Sequence, residues 1–192
     1  NGAVPTTAPE YVVFEGPGMD AFAESPEWGC TFVVLPFMYY ETYGDDSLIR
    51  KYYNGMRRYI DYMTTRANDG IVSFGLGDWY DYGDFRAGFS RNTPVPLVAT
   101  AHYYMVVRYL VEAARMLDNR YDVAYYTHLG EEINKAFHRE FYHKDTRQYG
   151  TGSQCSNALP LFLGMVPADD RQAVLDNLVA DIKTPRQPAD HR

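Results

Sequence analysis

The sequence predicts an all-α fold, a helical toroid of which about half the ring lies in this chain, and three observations carry that prediction. Apolar residues recur at helical spacing in six segments. Segments that are apolar on most sides alternate with segments apolar along one stripe, as inner and outer helices do. Short connections alternate with long ones, so each inner helix forms an antiparallel hairpin with the outer helix that follows it.

The first segment runs from Thr31 to Tyr43 and is interrupted by Pro36, with Phe32, Leu35, Tyr39 and Tyr43 on one face. Tyr43-Gly44-Asp45-Asp46 turns the chain. Ser47 then serves as an N-cap, Leu48, Tyr52, Met56, Tyr59, Ile60 and Met63 form the second stripe, and Asn68-Asp69-Gly70 ends it. The third segment, Pro96 to Leu117, follows Thr93-Pro94 and is apolar nearly all round from Leu97 to Leu110, which marks it as buried. After Asp118-Asn119-Arg120 comes an amphipathic helix, Tyr121 to Tyr142. Its inner stripe is Tyr125, Leu129, Ile133, Ala136 and Phe137, and Glu131, Glu132 and Lys135 face outward. The fifth segment, Ser156 to Met165, is short, apolar and interrupted by Pro160. Val166-Pro167-Ala168 joins it to the sixth, Asp169 to Lys183, with Val174, Leu175, Leu178, Val179 and Ile182 in register. The chain reads as one partial domain over residues 1–192, with 184–192 a polar, Pro-containing tail that frays.

The long connections are the segment before the first helix, Asp69 to Thr93, and His143 to Gln154. Because they all link an outer helix to the next inner one, they emerge at the same end and crowd one rim of the ring. A closed ring of six hairpins at about 60 residues each needs roughly twice this length, hence the half ring. Ile71-Val72-Ser73-Phe74 and the turn before Tyr149 are expected to form small hairpins on that rim.

Composition excludes several classes of function. The 192 residues carry 18 Lys+Arg against 25 Asp+Glu, a net charge of -7, with no basic run longer than Arg57-Arg58, so a nucleic-acid footprint is missing. No apolar run reaches the length needed to cross a bilayer, so no membrane partner is expected and the chain reads as soluble. It begins at Asn1 rather than Met, so sequence upstream is expected and no compartment is assigned. Cys30 and Cys155 are too few for a disulfide framework and lack metal-ligand spacing; they read as buried free thiols. Neither a nucleophile elbow nor a phosphate-binding glycine loop is present. His128, His138 and His143 do not make a metal site, His102 reads as a hydrogen-bonded core histidine, and neither a metal nor a cofactor is expected.

What remains points to sugar. Aromatic residues are 16% of the chain, 18 of them Tyr. The run Gly75-Leu76-Gly77-Asp78-Trp79-Tyr80-Asp81-Tyr82-Gly83 packs aromatic faces and two carboxylates between glycines. Aromatic rings cover the C–H faces of a pyranose and carboxylates accept hydrogen bonds from its hydroxyls. A structural alternative stands beside this: Asp78 and Asp81 cap turns while Trp79 and Tyr80 plug a core. The rim inventory adds Glu24, Glu27 and Trp28 from the first long segment and Tyr149, Ser153 and Gln154 from the third. Glycoside hydrolysis needs two carboxyl groups flanking the scissile bond, about 5–5.5 Å apart for retention or 6.5–9.5 Å for inversion.

In that company the chain resembles the catalytic domain of α-L-rhamnosidases of glycoside hydrolase family 78. The matching stretches are Ser25-Pro26-Glu27-Trp28-Gly29 before the first helix, Tyr43-Gly44-Asp45 at its end, the Gly75–Gly83 run, Thr100-Ala101, and Gly152-Ser153-Gln154 with Asn157-Ala158-Leu159-Pro160-Leu161. The resemblance implies an (α/α)6 barrel and an inverting hydrolase that removes terminal rhamnose from glycans or plant glycosides. The family's acid-bearing segment lies upstream of the matched region and its Glu-bearing segment downstream, so no catalytic acid or base is assigned here. Sugar-contact roles carry over to Trp28, Asp78 and Trp79, with Asp81 and Tyr82 as secondary neighbours. Cys30 stands where many relatives have an acidic or small residue, and it is given no role. The alternatives are a non-catalytic carbohydrate-binding or interaction module, or another toroid glycosidase or lyase acting on uronic sugars. The last would call on Arg86 and Arg91.

Overall fold

The computed structural model describes residues 2–184, so the expected tail, apart from Thr184, lies outside the described residues. Two short helical turns, α1 (Asp20–Ala23) and α2 (Pro26–Gly29), precede three helical hairpins. These are α3 (Thr31–Tyr43) with α4 (Ser47–Arg66), α5 (Val95–Met116) with α6 (Arg120–Phe141), and α7 (Gln154–Leu163) with α8 (Ala168–Lys183). Two small antiparallel hairpins sit in the long connections, β1 (Asp81–Gly83) with β2 (Phe85–Gly88), and β3 (Tyr142–His143) with β4 (Gln148–Tyr149). No described helix is long and apolar enough to cross a membrane.

Local chemistry sets the turns. Gly44 closes α3 at φ 69° and Gly164 closes α7 at φ 69°, the left-handed position that glycine takes without a Cβ clash. The start of α4 differs from expectation: Asp46 is the N-cap residue, and Asp45 Oδ1 accepts from the Ser47 amide at 2.8 Å. Asn119 caps α6 by accepting from Asp122 N at 3.1 Å, and Ser153 caps α7 by accepting from Ser156 N at 3.2 Å.

The inner row is α3, α5 and α7, and α5 packs against α3, α4, α6 and α7. Its central place explains why it is apolar nearly all round: Leu97, Ala99, Ala101, Val107 and Leu110 are wholly buried, each larger side chain contributing about 1.5–3 kcal/mol. Two clusters form the core. One joins α3, α4, α5 and α6 through Val33, Ile49, Met56, Ile60, Tyr103 and Ile133; the other joins α5 and α6 to α7 and α8 through Leu97, Phe137, Leu161 and Val174.

The stripes are phased differently from the expectation in places. On α4 the buried line starts at Ile49 and Tyr53 rather than Leu48 and Tyr52, and on α6 Tyr126 rather than Tyr125 points inward. On α3 the core side is Val33, Pro36 and Phe37, while Leu35 and Tyr43 are exposed. On α8 only Val174 is buried, and Leu175, Val179 and Ile182 are exposed. These last faces lie on the first and third hairpins, where a closed ring sets its next neighbours. The strand signal at Ile71–Phe74 is also corrected. Apart from a single bridge from Asn68 to Ile71 the segment is no strand, because Val72 N and O bond the Thr100 hydroxyl at 3.0 and 3.2 Å instead of a partner strand.

Candidate functional site

The three long connections do meet at one end. Glu27 ties the first to the second: its carboxylate accepts from Gly77 N at 3.0 Å, from Leu76 N at 3.2 Å and from the Ser25 hydroxyl. Glycine at 75 is required by this approach, since a Cβ there would stand 2.6 Å from Glu27 Oε2 on a backbone at φ +132°. Gly77, at φ +66°, would likewise drive a Cβ to 2.7 Å from Ser90 Cβ. The second connection is tied to the third by Thr93 Oγ1, 2.7 Å from Ser153 Oγ, and by the Thr151 hydroxyl, which donates to the Asn92 carbonyl.

With the loops so held, the indoles of Trp28 and Trp79 lie 5.9 Å apart at 89°. Phe22 touches both, at 6.2 and 6.0 Å, and Phe89 at 5.6 Å, while Tyr80 stands edge-on to Trp79 at 5.3 Å. Edge-to-face pairs of this kind each contribute about 0.5–1.5 kcal/mol beyond their burial, so the rings brace one another into a wall. Trp79 nevertheless keeps 41% of its surface exposed, which makes it a platform as well as a brace.

The rim carboxylates divide by what they bond. Glu24 accepts from Arg66 at 2.6 Å and from the Tyr62 hydroxyl, and so anchors the first connection to α4. Asp81 is buried and accepts four hydrogen bonds, from Arg91 N at 2.6 Å, Asn92 N at 2.7 Å, Asn92 Nδ2 at 2.6 Å and Tyr82 N at 2.9 Å. Burial pushes its pKa up, but these four bonds together outweigh burial and hold the carboxyl below its ordinary value. Its oxygens are taken up by its own loop. Asp78 is held by side-chain groups instead: the Thr93 hydroxyl donates to Oδ2 at 3.2 Å, and the Cys155 thiol lies beside it. Burial first, and then the Asp78 charge, push the Cys155 pKa up to about 12, so the thiol stays protonated. Cys30 is likewise pushed up to about 12, by burial and then by Glu27.

Of the residues picked from sequence, Trp28 and Trp79 come together, whereas the Asp78 carboxylate faces Thr93 and Asp81 is enclosed by its own loop. Tyr82 follows on β1 but is 78% exposed and has no ring contact with the cluster among the described residues. Tyr149 is corrected: it is wholly buried in the core, its hydroxyl 3.0 Å from His138 Nδ1, because β4 turns it inward beneath α6. His102 bonds the Val98 carbonyl at 2.8 Å within its own helix. Phe22 and Phe89 were missed, although isolated phenylalanines in Gly- and Ser-containing loops are a signal that could have found them. Among the described residues no group of three or more His, Cys, Asp or Glu is placed to hold a metal ion.

Three helical hairpins whose long connections gather at one end have the architecture of a partial helical toroid. The chain belongs to the family described as the bacterial alpha-L-rhamnosidase six-hairpin glycosidase domain, whose model matches residues 1–188. It is 28% identical over 165 residues to an alpha-L-rhamnosidase of Formosa agariphila, covering 81% of this chain and 17% of that protein. To one of Streptomyces avermitilis it is 29% identical over 158 residues, covering 81% and 14%. The fold matches the solved alpha-L-rhamnosidase of Dictyoglumus thermophilum with a TM-score of 0.84 at 27% identity, over 97% of this chain and 20% of that one. It also matches the Streptomyces avermitilis enzyme solved with L-rhamnose, with a TM-score of 0.79 at 26% identity, over 95% and 16%. The chain therefore spans a fifth or less of the length of each of these proteins.

Proposed function

We propose that the chain forms part of the catalytic domain of an inverting α-L-rhamnosidase and supplies the wall that holds the terminal rhamnose. The observation that carries this reading is the right-angled pair Trp28 and Trp79, 5.9 Å apart, with Asp78, which accepts from the Thr93 hydroxyl, preceding Trp79 in the chain. Rhamnose is a 6-deoxy sugar, so one face and its methyl group are apolar and suited to an indole, while its ring hydroxyls are donors for Asp78. Asp81 sets the loop that carries Tyr80 and Tyr82 and keeps Asp78 and Trp79 in place. Glu27 performs the same service from α2. The general acid and the base that activates water come from other parts of the parent protein, where the separation for inversion is about 6.5–9.5 Å.

The intact parent protein should release rhamnose from an aryl α-L-rhamnoside. Failure to cleave any α-rhamnoside, with another sugar released instead, overturns the assignment. Binding of rhamnose without turnover identifies a carbohydrate-binding module in its place.

A further inference from the structure

We infer that the cleft adjoining Trp79 binds an anionic sugar, one bearing a carboxylate or a sulfate ester, as the residue to which the terminal rhamnose is attached. This rests on the rhamnosidase reading and names the substrate class of that site. The cleft has a volume of about 660 Å³, and its walls include Phe22, Trp79, Tyr80 and Phe89 with Arg86 and Arg91. That is the size of a site for one or two sugar rings, and the rings on its walls suit their C–H faces.

The charge at this cleft is what sets it apart. Neither an aspartate nor a glutamate lines it. Five arginines elsewhere are paired, Arg50 with Asp46, Arg66 with Glu24, Arg115 with Glu112, Arg139 with Asp69 and Arg147 with Asp170, while Arg108 and Arg171 bond backbone carbonyls of Leu163 and Leu161. Among the described residues Arg86 and Arg91 have no such carboxylate, in a chain whose net charge is -7. Both are placed by the loop. Arg86 lies on β2, and Arg91 is fixed at its backbone by the 2.6 Å bond to Asp81 Oδ2, with its guanidinium 5.1 Å from the centre of the Phe85 ring. Two guanidiniums beside an aromatic cleft grip a planar carboxylate or a sulfate through paired N–H donors, which water or a neutral hydroxyl cannot match. Rhamnose has no ionisable group, and Trp79 is shared between the proposed rhamnose site and the cleft. The anion therefore belongs to the neighbouring residue.

The test uses the intact parent protein and three thio-linked, uncleavable disaccharides in which rhamnose is joined to glucuronate, to glucose 6-sulfate or to glucose. Calorimetry should show one or both charged compounds binding at least about tenfold tighter than the glucose compound, the scale of one charge-assisted hydrogen bond. Which charged compound leads tells carboxylate from sulfate. The preference should vanish in the double variant Arg86→Gln/Arg91→Gln, and because it is a ratio within one preparation, a misfolded fraction does not mimic the loss. Equal affinity for all three compounds, or a preference that survives the double variant, overturns the inference. A parent that cleaves rhamnosides but shows no preference refutes the anion site alone. One that prefers the charged compounds yet cleaves no rhamnoside refutes the enzymatic reading alone.

Discussion

Glu27→Ala should loosen the Trp79 loop without unfolding the helices. The Glu27 carboxylate is the acceptor for the amides of Leu76 and Gly77, at 3.2 and 3.0 Å, and both residues are buried, Leu76 being 1% exposed. Each buried donor left without an acceptor costs about 1–3 kcal/mol, while the Ser25 hydroxyl can turn elsewhere. Water entering the vacated space offsets part of this, so the local cost is about 2–4 kcal/mol. Such a cost appears as faster amide exchange in residues 71–77, by between about tenfold and a thousandfold, with α4 and α5 unchanged. The assay is hydrogen exchange read by mass spectrometry on the parent protein and the variant. KM for an aryl rhamnoside should rise at the same time, because Trp79 lies just beyond the released amides. Unchanged exchange across 71–77 in a folded variant refutes the role given to Glu27.

Trp79→Ala in the parent should weaken substrate binding by about 1–3 kcal/mol, the loss of one large apolar face, and an unchanged KM contradicts the placement. Asp81 makes a pH-dependent contribution. Its folded pKa lies below the ordinary 3.8, so its stabilisation is full above that value and is lost as the pH falls through the lower folded one. Protection of residues 81–92, taken relative to the unfolded chain at the same pH, should therefore fall below pH 3.8, and Asp81→Asn should flatten that dependence while lowering protection at neutral pH. The thiols of Cys30 and Cys155, both pushed up to about 12, should resist iodoacetamide at about pH 8 in the folded parent and react after unfolding. Cys30 is buried as expected, whereas Cys155 is only half-buried; peptide mass spectrometry reads each site, and rapid labelling of either native thiol contradicts the raised pKa.

The helices and their alternation were legible because period and punctuation act locally. Thr31–Tyr43 was bounded correctly by its own Gly44, and the inner helix α5 by its unbroken apolar character. The phase of two outer helices was not legible, for a specific reason. Tyr52-Tyr53 and Tyr125-Tyr126 are doublets, so hydrophobicity alone cannot choose which ring faces in. The choice is made by polar partners from other helices: the Tyr53 hydroxyl donates to Asp122 Oδ2 at 2.7 Å, and Arg57 pairs with the same carboxylate at 3.4 Å. Trp28 and Trp79, which the fold brings together, could be picked out because bulky rings stood among glycines and acids. The part played by Glu27 could not be, since its partners are about fifty residues away. Asp81 and Asp78 looked alike on the page and were separated only by which donors the fold brought to each.

Hydroxyl-radical footprinting of the intact parent with and without L-rhamnose tests the central claim most directly. Rhamnose should protect Trp28 and Trp79 together from oxidation, and a non-binding sugar such as xylose should not. Rhamnose that binds while leaving both indoles as reactive as before places the sugar elsewhere and contradicts the account.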